Sequence, residues 1–328
     1  MSAAPTNVAN VAVCGLGRMG RAMAVRIAGG GFALSVWNRS PEPVASVAAD
    51  TGARAAGTPA EASRDADVVV TMLTDGPAVL AVLAGPDGVL AGMRAGAVVV
   101  DCSTTGAEHA RRAAELCRGA GVRFLDCPVS GSTAVAGRGE LGLMVGGESE
   151  VLEQVRPVLE AMGRTVVHVG PTGAGAAAKV AVNGLLHTFS TALAESLVAA
   201  EAAGVSRAAL FDVLAAGVLA NTFLDYKRQA FIDPDHTAVA FDLSTATKDL
   251  GLAVDASRTA HLPVSVLERT LALHRRALAD GYGDKDMAAM ASWFGAQAGN
   301  DRGNDRGNDH DHDGDRDDET TGRTLEGQ

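Results

Sequence analysis

Aromatic residues are few: two Trp, two Tyr and eight Phe in 328 residues. With 47% of the chain apolar, the core must be built from Ala, Val, Leu and Gly, which favours closely packed helices and buried parallel strands. Basic charge is also short, with 28 Lys and Arg against 39 Asp and Glu for a formal net charge of −11. That excludes nucleic-acid binding through overall charge. No apolar run reaches the ~18 residues of a membrane span. The best stretch, Gly76 to Met93, is broken by Pro77, Pro86, Asp87 and several glycines. The N-terminus, MSAAPTNVANVAV, lacks the basic start and cleavage site of a signal peptide. Cys14, Cys102, Cys117 and Cys127 show neither CxxC nor metal-ligand spacing. No metal is therefore expected, and the thiols read as reduced. What remains is a cytoplasmic enzyme or binding protein with no membrane or nucleic-acid partner.

Residues 1–170 alternate short β-branched runs with helical segments. The runs are Val8–Cys14, Ala33–Asn38, Asp67–Leu73, Ala97–Cys102, Val122–Cys127, Leu141–Val145 and Thr165–Val169. Buried runs separated by helices predict βαβ units and a largely parallel, doubly wound sheet. Ala176 to Ala203 reads as one long helix, followed by helices to about Gln297 with breakers near Gly217, Pro234 and Pro263. The predicted architecture is α/β: a doubly wound domain over 1–170, a long inter-domain helix, and an all-α domain over 171–298. Residues 299–328 repeat GNDR and carry ten acids against four Arg with almost no apolar side chains, so a solvated acidic tail is expected. Asp309, Asp311, Asp313, Gly314 and Asp315 imitate the opening of a calcium loop. Its twelfth position is Thr320 rather than Glu, and the tail reading prevails.

Gly15-Leu16-Gly17-Arg18-Met19-Gly20 follows a predicted strand and opens a helix, the context in which GxGxxG signals a dinucleotide site. Gly15 permits the tight turn, Gly17 lets backbone approach a pyrophosphate, and Gly20 lets the helix pack on the strand. The next strand ends in Asn38-Arg39-Ser40. NAD sites usually present an acid here, and this chain has none before Glu42. An amide, a guanidinium and a hydroxyl suit a 2′-phosphate, so NADP(H) is read over NAD(H). The alternative for Arg39 is a solvated loop cation.

Lysine is scarce, with four residues at 179, 227, 248 and 285. Arg stays protonated, whereas Lys can be tuned by burial to release and regain a proton. Lys179 sits in the apolar stretch AAAKVAVNG, with Asn183 one turn on and on the same face. The Ala and Val flanks oppose the alternative of an exposed helix cation. His187 shares that face but lies about 12 Å along the axis, and is read as a satisfied interior histidine.

Four blocks carry a family resemblance: GLGRMGRAMA at 15–24, DCPVSGSTAVAGRGELGLMVGG at 126–147, GPTGAGAAAKVAVNG at 170–184 and TKDLGLA at 247–253, with DCST at 101–104 a weaker fifth. The chain resembles the β-hydroxyacid dehydrogenases, the group of 3-hydroxyisobutyrate dehydrogenase and the glyoxylate/succinic semialdehyde reductases, over residues 8–295. The resemblance implies a Rossmann-type first domain and hydride transfer between NADP(H) and a small hydroxy acid or its aldehyde or keto acid. It implies Lys179 as acid/base with Asn183 as its amide partner. It also implies Ser130, Gly131 and Ser132 as the substrate-carboxylate loop, Lys248 as a lysine covering the cofactor, and Leu73, Thr74 and Thr104 in cofactor-lining loops. A homodimer or higher homo-oligomer, formed through the all-α domain, is the implied assembly.

Three departures lie on the substrate side: SGS in place of SGG, Asn183-Gly184 in place of NN, and Ala107 in place of a proline. Two competing readings stay open. One is an imine reductase on the same fold, whose members generally carry another residue in place of the lysine, so Lys179 argues for C=O. The other is a non-catalytic NADP-binding or scaffold protein, for which Lys179 would be dispensable.

Overall fold

The computed structural model describes residues 8–263 and 265–305. Strands β1 (Asn10–Cys14), β2 (Ala33–Trp37), β3 (Arg54–Ala55), β4 (Val68–Thr71), β5 (Val98–Asp101), β6 (Arg123–Asp126), β7 (Val129–Ser130), β8 (Leu141–Gly146) and β9 (Gly163–Gly170) form a single sheet. Its order is β3-β2-β1-β4-β5-β6-β8-β7, with β9 also paired to β8. The valine triplets of β4 and β5 make central strands because β-branched side chains suit a sheet covered on both faces. Alternation sorts them: Val68, Val70, Val98 and Val100 enter one core, while Val69 and Val99 enter the other. Pairing is parallel from β3 through β6 and between β8 and β9. The sheet departs from the expected parallel pattern where β8 meets β6 and β7, which is antiparallel. The residues between Asp126 and Leu141 form that turn-back and carry the substrate-loop candidates.

Helices α1 (Arg18–Gly29), α2 (Pro41–Thr51) and α8 (Ser149–Met162) cover one face, the first through Met23, Ala24 and Ile27. Helices α3 (Pro59–Ser63), α4 (Gly76–Ala84), α5 (Val89–Gly92) and α6 (Ala107–Gly119) cover the other. The short α7 (Thr133–Gly137) packs its Ala136 beside α1. β1 pairs with β2 on one side and β4 on the other. The chain therefore winds away in opposite directions from β1, which opens a crevice at the carboxyl ends of these strands.

Helix α9 (Ala174–Ala202) has 29 residues and is about 43 Å long. Its start is fixed to the sheet. The Asp126 carboxylate accepts the N–H groups of Gly173 and Ala176 at 2.7 and 2.8 Å. Gly175 is a glycine by necessity, because a Cβ there would lie 2.5 Å from the carbonyl oxygens of Asp126 and Met144. Beyond it follow α10 (Arg207–Ala216), α11 (Thr222–Ile232), α12 (Leu243–Thr259), α13 (Ser265–Ala279) and α14 (Met290–Asp305). Gly217, Pro234 and Pro263 all fall between helices, as the sequence predicts. This half concentrates the scarce aromatics, with Phe211, Phe223, Phe231 and Trp293 buried in a core of their own. Among the described residues, no helix is long and apolar enough to cross a membrane. Helix α14 runs on through Asp305, into the stretch read as the acidic tail. The rest of the tail, with the calcium-like acids, lies outside the described residues.

Candidate active site

The crevice between the two halves is a cleft of about 800 Å³. Its first wall is the turn from β1 into α1. Gly15 sits at φ +102°, its N–H donating to the Trp37 carbonyl at 2.9 Å. A Cβ on Gly20 would collide with the Gly15 carbonyl oxygen, so the helix start can approach the strand end only as glycine. Gly17 is different. No atom of the described residues lies within 4 Å of where its Cβ would be, and the residue borders the cleft. Helix α1 begins directly behind it. An open glycine at a helix N-terminus that faces a crevice is a cradle suited to the pyrophosphate of a nicotinamide dinucleotide. The site thus fits the cofactor on its own geometry.

Gly15, Gly17, Arg18, Met19 and Gly20 all line the cleft, but Leu16 does not: its side chain is in the core and its N–H donates to Asn38 Oδ1 at 2.9 Å. Asn38 also lines the cleft. Its oxygen holds the glycine turn, and one N–H of its amide donates to the Ser40 carbonyl at 3.1 Å. Arg39 and Ser40 are exposed on the cleft beside it. Arg18 reaches across instead, donating to the Val239 carbonyl at 3.0 Å and pairing with Asp242 at 3.3 Å.

Leu73, Thr74 and Thr104 lie where the sequence puts them, on the loops after β4 and β5. A buried carboxylate that sequence patterning did not single out ties these loops together. Asp101 accepts from the Thr71 hydroxyl at 2.8 Å and the Ser103 N–H at 3.1 Å, while Ser103 Oγ accepts from the Leu73 N–H at 2.9 Å. Burial pushes the Asp101 carboxyl up to about 6 against the pull of those hydrogen bonds. Asp126, one strand over, is raised by burial in the same way while the N–H groups of the α9 start oppose it. The two Asp-Cys steps at strand ends were a readable signal, since an acid closing a buried strand needs a partner.

The opposite wall comes from α9, α12 and the loop before α12. Fixing the α9 start by Asp126 places Lys179 in its second turn, half-buried and facing the cleft. The other three lysines are each ion-paired, Lys227 with Asp286, Lys248 with Asp249 and Lys285 with Asp235. Among the described residues Lys179 has no such partner. Burial lowers its affinity for a proton, Asp249 partly restores it, and Lys248 lowers it again. Asn183 is buried and lines the cleft, and its amide nitrogen donates to Asp249 Oδ2 at 2.7 Å rather than to the lysine. Lys248 donates to the Thr104 carbonyl at 3.2 Å, linking the two halves above the cleft.

Asp249 is absent from the sequence expectations, yet it organises this wall. Burial alone would raise its carboxyl, but His187 and Lys248 beside it hold it below the ordinary carboxylate value. The signal was its register: Ala246, Leu250 and Ala253 make the buried face of α12, and Asp249 lies among them. Phe241 lines the cleft and stacks on His187. It is held by Asp286, which accepts the N–H groups of Ala240 and Phe241 and both close approaches of the buried Lys227 amine at 2.6 Å. His187 is interior as predicted, and among the described residues neither ring nitrogen has a hydrogen-bond partner.

On the substrate side Gly131, at φ +139°, and Ser132 line the cleft, and Ser132 Oγ also accepts the Val135 N–H as the cap of α7. Ser130 is exposed but outside the lining. It pairs with Gly142 in the β7–β8 ladder, which turns it toward β8.

Comparison with known proteins gives two family matches. Residues 10–170 match the NAD binding domain of 6-phosphogluconate dehydrogenase, and residues 173–294 match the NAD-binding domain of NADP-dependent 3-hydroxyisobutyrate dehydrogenase. The chain is 34% identical over 291 residues to an NAD-dependent L-serine dehydrogenase of Pseudomonas aeruginosa, covering 87% of this chain and 97% of that one. It is 34% identical over 283 residues to a 3-hydroxyisobutyrate dehydrogenase of the same organism, covering 84% and 95%. Among solved structures, it is similar to the 3-hydroxyisobutyrate dehydrogenase of Mycobacterium tuberculosis with L-serine, with a TM-score of 0.78, 31% identity, and coverage of 87% and 98%.

Proposed function

The chain belongs to the β-hydroxyacid dehydrogenase family, the NAD(P)-dependent oxidoreductases of CH–OH groups, and from that premise we propose that it reversibly oxidises a small β-hydroxy acid with Lys179 moving the proton. The observation that carries this reading is the Lys179 amine: it faces the cleft, has no counter-ion among the described residues, and is depressed by burial. Held by the Gly15–Gly20 turn with Arg39 and Ser40 at the cleft edge, a nicotinamide cofactor would supply the hydride acceptor in oxidation and the hydride donor in reduction. A carbon losing hydride needs its hydroxyl proton removed, and a neutral Lys179 Nζ takes it. In reduction the ammonium gives the proton back to the oxygen as negative charge grows there. Asn183, oriented by Asp249, presents the rest of its amide to the same space. The Gly131 and Ser132 backbone with the Ser132 hydroxyl suits a small carboxylate, bound through hydrogen bonds rather than a full countercharge. Phe241 forms an apolar wall that keeps water from the reacting atoms.

Arg39 and Ser40 support NADP(H) over NAD(H), because a guanidinium and a hydroxyl stand where an acid would repel a 2′-phosphate. The names of the relatives make L-serine and 3-hydroxyisobutyrate the first substrates to try. A homo-oligomer, dimer or larger, belongs to the same reading, supported by Val182, Leu185 and Val213 left exposed on the helical half. Four free, buried cysteines suit the cytoplasm.

The test is a two-way panel. Small β-hydroxy acids are offered with NADP⁺ and with NAD⁺, and semialdehydes, glyoxylate and cyclic imines are offered with NADPH, each beside Lys179→Ala. Turnover of a hydroxy acid, faster with NADP⁺, is expected to fall about 10²- to 10⁴-fold in the variant while cofactor binding persists. Reduction of imines alone with the lysine dispensable, or cofactor binding without any turnover, overturns the reading.

A further inference from the structure

Arg18 is the first residue of α1, next to the open Gly17 of the cradle, where a guanidinium suits a phosphate. Both of its terminal nitrogens reach the opposite wall instead. Nη1 donates to the Val239 carbonyl at 3.0 Å, and Nη2 pairs with Asp242 Oδ2 at 3.3 Å. These two anchor points bracket Ala240 and Phe241, which line the cleft together with Arg18 and Asp242. Among the described residues, Arg18 and Lys248 are the two side chains that hydrogen-bond from one half to the other across the cleft.

On its far side the 239–242 segment is a rigid strap. Asp286, 1% exposed, accepts the N–H groups of Ala240 and Phe241 at 2.9 and 3.1 Å and is paired with the equally buried Lys227. The Met287 N–H donates to the Phe241 carbonyl and the Leu243 N–H to the Lys285 carbonyl, both at 2.9 Å. Asp242 Oδ1 meanwhile caps α12 by accepting the Thr245 N–H at 2.8 Å. The strap therefore belongs to the helical half. Lys179 is anchored differently, because the α9 start that carries it is tied to the sheet by Asp126. The grip of Arg18 thus sets the Phe241 wall against both the cradle and the lysine. With its side chain 58% exposed, it is the weaker of the strap's two attachments.

We propose that Arg18 is a positioning residue that closes the cleft on its dinucleotide, latching the 239–242 strap, and with it Phe241, to the dinucleotide half through Val239 and Asp242. The inference rests on the cleft holding a nicotinamide dinucleotide and not on the proton chemistry of Lys179. Closure and release need a tie that opens at each visit of the nucleotide. Breaking a buried ion pair such as Lys227 with Asp286 is costly, whereas an exposed pair opens readily. Because protein groups occupy both guanidinium nitrogens, Arg18 acts on the nucleotide through the strap, and its loss shows first in the rate of departure.

The experiment displaces bound NADPH from the full chain with excess NADP⁺, and NADH with excess NAD⁺, following the reduced nucleotide by stopped-flow fluorescence. Arg18→Gln is expected to speed departure of both about fivefold, the ratio to wild type falling toward one in about 1 M salt as the charge pair is screened. Asp242→Asn keeps the α12 cap, since Asn caps as well as Asp, and is expected to speed departure at least about twofold. The double variant is expected to be no faster than Arg18→Gln alone. Melting temperatures of the cofactor-free variants are expected within about 2 °C of wild type. A larger fall marks a structural prop and overturns the proposal. Should Asp242→Asn fail to fold by circular dichroism, Asp242→Ser caps in its place. Departure from the Asp242 variant at the wild-type rate or slower overturns the proposal, because Arg18 then serves the phosphate directly. So do effects of the two substitutions that multiply in the double variant. A chain that holds neither nucleotide removes the cradle as well. Wild-type rates in all the variants remove the latch alone and leave the dehydrogenase reading to its own panel.

Discussion

Asp101 shows how a single carboxylate can serve a site it never touches. Its carboxyl is raised to about 6 in the fold by burial, above the ordinary 3.8 of an unfolded chain. Between those values the folded state holds more protons than the unfolded one. Asp101 therefore lowers stability as pH rises through about 4 to 6, and the loss is complete above that window. The amplitude is on the order of 3 kcal/mol. Asp101→Asn keeps an acceptor for Thr71 and Ser103 but cannot ionise. Its stability relative to wild type, from urea unfolding, is expected to rise from pH 4 to pH 7. A difference that stays flat or falls would exclude this account. At this scale Lys179 was legible from its apolar flanks, and the cleft-facing glycines from their spacing. Asp249 and His187 were not, because their meaning lies in partners 62 residues apart that only the folded chain joins. The partners that Asn38 takes, Leu16 and Ser40, were hidden for a similar reason: its donor capacity is visible in the sequence, whereas its engagement with the glycine turn is not.

The turn from β1 into α1 divides its labour between glycines, and two substitutions separate them. Gly17→Ala meets nothing within 4 Å and has φ −64°, which alanine adopts readily. Its melting temperature is expected to stay within about 2 °C of wild type, since a compatible Gly→Ala change and a lost glycine cap are each worth under about 1 kcal/mol and oppose one another. Its methyl group nevertheless enters the cleft, and calorimetric titration is expected to show NADP⁺ binding at least about tenfold weaker. Gly20→Ala collides with the Gly15 carbonyl and is expected to destabilise the domain by about 1–3 kcal/mol as well. Undiminished cofactor binding by Gly17→Ala would break the cradle assignment. Elements were the most legible level of this chain. The valine runs announced β4 and β5, and the proline-free stretch announced α9 to within two residues. The antiparallel excursion of β7 and β8 was hidden because alternation and length are the same whichever way a strand runs.

Across the whole molecule, the two halves are built from different side chains. The sheet cores are aliphatic and the helical core is aromatic. The large apolar groups left outside also fall mainly on the helical half, with Leu185 at 73% and Val213 at 66% exposed. Sedimentation equilibrium at micromolar concentration is expected to show an assembly of at least two chains, and Leu185→Lys to weaken it at least tenfold. A monomeric wild type would remove the oligomer from the reading. Domain order was legible from the change of texture after Gly175. The contacts that set the halves against each other, Arg18 to Asp242 and Lys248 to Thr104, were not, because each joins residues more than 140 positions apart. The division of side chains has an optical side too. The two tryptophans fall one to each half: Trp37 borders the cofactor cleft, while Trp293 is buried among helices with its indole N–H on Asp280. The emission of one indole is thus placed to be quenched by a neighbouring dinucleotide and that of the other to redden as the helices come apart. The protein carries a separate lamp for occupancy and for integrity.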